Sequence, residues 1–184
     1  MNNESTESDY NDALSEFHKV VFLDIEGVVV THKSILYNHT PDNPYRGARV
    51  PNWNQYIDRC CLGLVYRLAM EFAAQIVLTS TLRNDKYVHT GLLALPPVWL
   101  SMDNTLDYLS SAVTEHKGSR EEEIQKFVED FEVKKFVVFD DRELKIKNFI
   151  KVNAHDGISM RNFYDAKAFL VDEGQEIKYE GIFL

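Results

Sequence analysis

Four short segments, far apart in the chain, each bring a polar group suited to phosphate chemistry next to an apolar run or a helix start. The first runs from Val20 to Gly27 and ends Asp24-Ile25-Glu26-Gly27; the second, Ile76 to Ser80, ends Thr79-Ser80. The third offers Lys117 and Arg120 ahead of a helical stretch, and the fourth, Phe136 to Asp141, ends in Asp140-Asp141. A phosphate monoester is dianionic, so a carboxylate can attack it only if a cation neutralises the approach. Mg2+ held by one or two carboxylates plus the substrate phosphate is a common solution. Each segment alone also has a structural reading. Asp24 can open a turn, Asp140-Asp141 can cap a helix beginning at Arg142, Thr79 and Ser80 are ordinary strand-end residues, and Lys117 and Arg120 can be solvated helix charges. Their joint occurrence is what points to chemistry.

The elements that must position these groups alternate along the chain. Val20 to Leu23, Ile76 to Leu78 and Phe136 to Phe139 are continuous apolar runs, as strands buried on both faces require. Between Trp53 and Phe72 the residues Ile57, Cys60, Cys61, Leu64, Val65 and Leu68 recur at helical spacing. Gly118 or Ser119 can start the next helix, with Glu121, Glu122 and Glu123 in its first turn and Ile124, Phe127 and Val128 on its inner face. A strand near Phe149 to Val152 and a helix from about Met160 to Leu170 complete the series. The pattern predicts a three-layer α/β/α domain over residues 19–184 with a parallel sheet, preceded by an N-terminal extension over 1–18. The carboxyl ends of parallel strands share a crevice where open α/β folds bind ligands. Two segments break the alternation. Thr31 to Pro51 is turn-rich and would form a small cap over that crevice, and in Gly91 to Thr105 the pair Pro96-Pro97 precedes an apolar run, Val98 to Leu100, with the length of an edge strand.

Composition sets outer limits. The chain has 184 residues, enough for one domain with a core that needs no staples. Its two cysteines, Cys60 and Cys61, are adjacent in a helical pattern and read as packing residues. No apolar stretch has the ~20 residues of a membrane span, and the polar, acidic start is unlike a signal peptide, so a cytoplasmic protein is expected. A formal net charge of −9 opposes binding of long nucleic acids through many phosphates. A small phosphorylated substrate or a strand end is easier to accommodate. The six histidines have no ligand-like spacing, which argues against zinc. His32 and His39, with Tyr37, Tyr45, Arg46 and Arg49, lie in or beside the cap segment and have the chemistry to stack on a base or pair with a second phosphate.

At the first strand end the pattern becomes specific. Asp24-Ile25-Glu26-Gly27-Val28 resembles the nucleophile motif of the haloacid dehalogenase superfamily, usually Asp-x-Asp-Gly-Val. Thr79-Ser80 matches that family's second motif, and Asp140-Asp141 its closing acidic motif. The run Leu78-Thr79-Ser80-Thr81-Leu82-Arg83, with Arg120 to Gln125 and Val138 to Asp141, is similar to the phosphatase domain of "Swiss Army Knife" RNA-repair proteins. Similarity extends to 5'(3')-deoxyribonucleotidases. The resemblance spans roughly Val20 to Leu170 and implies a Rossmann-like parallel sheet.

The resemblance also implies roles. Asp24 would be the nucleophile, forming an aspartyl-phosphate, and Glu26 the general acid and base. Mg2+ would lie between Asp24, the backbone carbonyl of Glu26 and Asp140, with Asp141 acting through water. Thr79, helped by Ser80, would bind a phosphoryl oxygen, and Lys117 or Arg120 would hold its charge. Arg83 and Arg46 are further candidates for substrate contact. Glu26 departs from the family's usual aspartate by one methylene, roughly 1.5 Å of reach, and misplacement of about 1 Å can cost about a hundredfold in rate. The expected activity is a Mg2+-dependent phosphomonoesterase acting on nucleotides. Alternatives are a polynucleotide 3'- or 5'-end phosphatase, and a catalytically weakened relative that binds a phosphorylated ligand or a protein partner.

Overall fold

The computed structural model describes residues 17–38, 56–82, 109–114, 118–174 and 176–177. The strands are β1 (Lys19–Leu23), β2 (Gln75–Leu78), β3 (Leu109–Val113), β4 (Lys135–Asp140) and β5 (Phe149–Lys151). Helices α1 (His32–Asn38), α2 (Arg59–Phe72), α3 (Arg120–Asp130) and α4 (Met160–Leu170) lie between or after them. All four strand pairings are parallel, in the order β3-β2-β1-β4-β5. The domain is therefore α/β, as the alternating pattern predicts.

Because successive strand side chains point to opposite faces, each central strand supplies two cores. Val21, Leu23, Ile76, Leu78, Val137 and Phe139 pack on one face with residues of α2 and α4, among them Leu68 and Phe163. Val20, Phe22, Val77 and Val138 pack on the other with Ile124 and Phe127 of α3. A buried side chain of this kind contributes roughly 1.5–3 kcal/mol. This two-sided burial explains why the central strands read as unbroken apolar runs.

β1 is the centre of the sheet. The chain leaves it to β2 and β3 on one side and returns to β4 and β5 on the other, making β1/β4 the point where strand order reverses. The ladder runs one residue past the strands: Asp24 N–H donates to the Phe139 carbonyl at 3.0 Å, and Thr79 N–H to the Leu23 carbonyl at 3.0 Å. Asp24, Thr79 and Asp140 consequently end side by side at one edge.

Three elements differ from the sequence pattern. α2 begins at Arg59 rather than near Trp53, because Asp58 is extended and its carboxylate accepts from Cys60 N–H and Cys61 N–H at 2.9 and 3.2 Å, capping the helix there. Within the turn-rich cap segment, residues 32–38 are helical. Thr31 Oγ1 accepts from Ser34 N–H at 3.1 Å while Ser34 Oγ accepts from Thr31 N–H at 3.0 Å, a reciprocal cap hidden in a turn-like composition. α1 is tied to the loop after β5 by His32 N–H on the Ala154 carbonyl, 3.0 Å. The remainder of the cap segment and the run Val98 to Leu100 lie outside the described residues. The strand found beyond β2 is instead β3, whose Ser110-Ser111 pair interrupts the apolar signal. Cys61 is buried and Cys60 exposed, both as free thiols.

Candidate functional site

Asp24 follows β1 directly and is 2% exposed, while Asp140, the last residue of β4, is fully buried. With the half-buried Asp141 they offer carboxylate oxygens that all lie within 4.8 Å of one another. Opposite charge arrives from α3. Ser119 caps that helix, accepting from Glu122 N–H at 3.3 Å while Glu122 Oε2 accepts from Ser119 N–H at 2.8 Å. The cap makes Arg120 the first helical residue, and its guanidinium reaches Asp24 Oδ1 at 3.0 Å and Asp140 Oδ2 at 2.7 Å. The other Asp140 oxygen, Oδ1, accepts from Arg142 N–H at 2.8 Å.

These surroundings perturb the acids. Burial pushes the Asp140 carboxyl up to about 6, with the Asp24 charge adding to the rise and Arg120 opposing it. Burial likewise raises Asp24, against Arg120 and hydrogen bonds from Ile25 N–H and the Ser80 hydroxyl. Burial works against the Arg120 charge, but Asp24 and Asp140 outweigh it and hold the guanidinium protonated. Three carboxylates and one guanidinium leave two negative charges uncompensated when all are ionised. A divalent cation balances that number, and an all-oxygen carboxylate set suits a hard ion such as Mg2+.

The loop after β1 is shaped to admit this cluster. The Ile25 carbonyl faces the N–H groups of Val28, Val29 and Val30 at 3.3, 3.0 and 2.9 Å, and Gly27 N–H donates to the Val30 carbonyl at 2.8 Å. Gly27 has φ +76°, and a Cβ there would stand 2.5 Å from Asp141 Oδ2. Glycine is thus required twice, for the left-handed backbone and for the approach of the Asp141 carboxylate. The donor set and this cradle both fit a small divalent ion.

The expected site residues separate into three groups. Asp24, Asp140, Asp141, Arg120 and Ser80 converge. Glu26 is exposed beside them, its side chain outside the carboxylate trio, with Thr81 Oγ1 donating to its Oε2 at 2.9 Å. Thr79 is buried at the end of β2, one residue before the Ser80 hydroxyl that reaches Asp24. Lys117, Arg83 and Arg46 lie outside the described residues. Thr81 is the addition: it stands in the Leu78 to Arg83 run, but nothing in its type or spacing signals a partner across the crevice.

Acids at the carboxyl edge of a parallel sheet, at its switch point and bridged by a helix-borne arginine, define a Rossmann-like domain with an acidic cluster whose donors could hold a metal ion. The family described as the HAD domain in Swiss Army Knife RNA repair proteins matches residues 20–163, and the chain belongs to it. No curated protein and no solved structure matches the chain. Among the described residues, no helix is long and apolar enough to cross a membrane.

Proposed function

We propose that this chain is a Mg2+-dependent phosphomonoesterase that acts on nucleotides with Asp24 as nucleophile. The observation that carries the reading is the Arg120 bridge between Asp24 and Asp140 beside Asp141. An Asp24 oxygen attacks phosphorus as the ester P–O bond breaks, and Glu26 gives its proton to the departing alkoxide. Glu26 then takes a proton from water, whose oxygen attacks the phosphorus of the aspartyl-phosphate and releases phosphate with Asp24 regenerated. Arg120 balances charge on the nucleophile and on the transferring group, and the Ser80 hydroxyl orients the Asp24 carboxylate. Asp24, Asp140 and Asp141, with the backbone carbonyl of Glu26, would hold Mg2+, which supplies positive charge to the approaching phosphate.

A second reading, a phosphatase of RNA strand ends, is favoured by the family's description as part of RNA repair proteins. The net charge of −9 favours the smaller substrate. The test of the chemistry common to both is hydrolysis of an aryl phosphate with Mg2+. Activity should vanish in excess chelator, and Asp24→Asn should abolish turnover while the melting temperature stays within a few degrees. Full activity in chelator, or an active Asn variant, would remove the mechanism.

A further inference from the structure

Glu26 differs from an aspartate in having one more rotatable bond, so fixing its backbone does not fix its carboxylate. The backbone is fixed, by the hydrogen bonds of the loop that follows β1. The side chain is exposed, and its carboxylate accepts a hydrogen bond from the Thr81 hydroxyl, 2.9 Å from Oε2. Thr81 in turn stands on a braced turn: Thr79 N–H is held by the Leu23 carbonyl at 3.0 Å, and Leu82 N–H by Ser80 Oγ at 3.2 Å. A β-branched residue has few side-chain rotamers, which makes this hydroxyl a stiff post. Consecutive residues after β2 therefore serve the two carboxylates of the Asp24-Ile25-Glu26 segment, Ser80 reaching Asp24 and Thr81 reaching Glu26. Thr81 is exposed, so core packing does not account for its place.

Resting on the phosphatase reading above, we propose that Thr81 is a positioning residue that holds the longer Glu26 carboxylate in one rotamer through Oε2. Oε1 is left to pass the proton to the leaving alkoxide and then to receive one from water. An exposed hydrogen bond of this kind biases rotamer populations by about fivefold to tenfold, and the effect belongs to the proton-transfer step.

The test compares wild type, Thr81→Val, Thr81→Ser, Glu26→Gln and the Glu26→Gln/Thr81→Val double variant on p-nitrophenyl phosphate and on a nucleoside monophosphate. Nucleoside alkoxides need a proton to leave, whereas nitrophenolate departs unaided. Thr81→Val should lower kcat for the nucleotide about fivefold to tenfold, with KM and aryl-phosphate turnover nearly unchanged. Thr81→Ser should recover most of the loss, and Thr81→Val should cost nothing further beside Glu26→Gln. Equal losses on both substrates, or a full additional loss in the double variant, would overturn the proposal. Crystal structures of wild type and Thr81→Val read the contact without turnover. A Glu26 carboxylate that keeps the same single rotamer without the hydroxyl overturns the positioning role. Wild-type protein silent on both phosphates overturns the phosphatase reading instead, and the two crystal structures still decide the Thr81 contact.

Discussion

Arg120 is the residue on which the acidic cluster depends. Its side chain is 10% exposed, and those of its partners Asp24 and Asp140 are 3% and 0% exposed, so solvent screens the pairs little. Arg120→Ala would leave two buried carboxylates without their cation, a change that costs about 3–5 kcal/mol for buried pairs. Urea denaturation in chelator should show that loss, and saturating Mg2+ should restore part of it. A loss below about 1 kcal/mol in chelator would mean that the carboxylates are already neutralised by protonation. At this scale the sequence was informative about identity and poor about contact. Asp24, Asp140 and Arg120 were legible because each stands at the end of an apolar run or at a helix start, where its backbone direction is constrained. The pairing of Ser80 with Asp24 and Thr81 with Glu26 was not, because side chains leaving a turn follow no period. Thr79 and Ser80 show the same limit: their types suit a phosphoryl oxygen, but the action of the Ser80 hydroxyl on Asp24 depends on how the chain turns after β2.

Helix α3 matters to the site through its first turn. Ser119 holds Arg120 at the helix start by a reciprocal cap with Glu122, and α4 carries the same device in Ser159 and Asn162, with the uncharged Met160 as its first residue. Ser119→Ala and Ser159→Ala should each cost about 1 kcal/mol of stability. Only Ser119→Ala should also reduce kcat, since it alone loosens the residue that bridges Asp24 and Asp140. Matched kinetics for both variants would show that the cap serves the fold and not the site. At the opposite end of the sheet, Asp172 is hydrogen-bonded by Lys19 at 2.6 Å and Lys135 lies 3.0 Å from it, which lowers its carboxyl to about 2 from an ordinary value of 3.8. A depressed acid stabilises the fold fully above its unfolded value and loses that contribution as pH falls through the folded one. Wild type should therefore lose stability relative to Asp172→Asn between about pH 4 and pH 2 in acid denaturation. The helices were legible from apolar spacing and capping residues, with α3 and α4 starting where Ser119 and Met160 indicate. The sequence makes α2 look longer than it is, because apolar periodicity continues through Ile57, before the Asp58 cap. β3 does not stand out in the sequence, because a short strand with two serines gives no alternation that distinguishes it from a loop.

For the molecule as a whole, alternation of apolar strands and amphipathic helices was enough to give a parallel sheet between two helical layers. It does not give strand order, which follows from how crossovers pack back onto the sheet, and strand order is what puts Asp24 beside Asp140. Nor does the fold choose the substrate, because one architecture hosts many functions. Charge offers the physical handle. A strand held through several phosphates releases several counterions, so its affinity falls steeply with salt, whereas a mononucleotide engages through little more than one phosphate. With a formal net charge of −9, the chain is expected to repel an extended polyanion and to tolerate a small one. Phosphate release from ribo- and deoxynucleoside 3'- and 5'-monophosphates should therefore exceed that from oligonucleotides with terminal phosphates, and kcat/KM for the mononucleotides should change little between about 50 and 200 mM salt. If oligonucleotide ends are strongly preferred, and the preference disappears at high salt and on changing Arg46 or Arg49 to Ala, the cap segment binds strands and the strand-end reading replaces the nucleotide one.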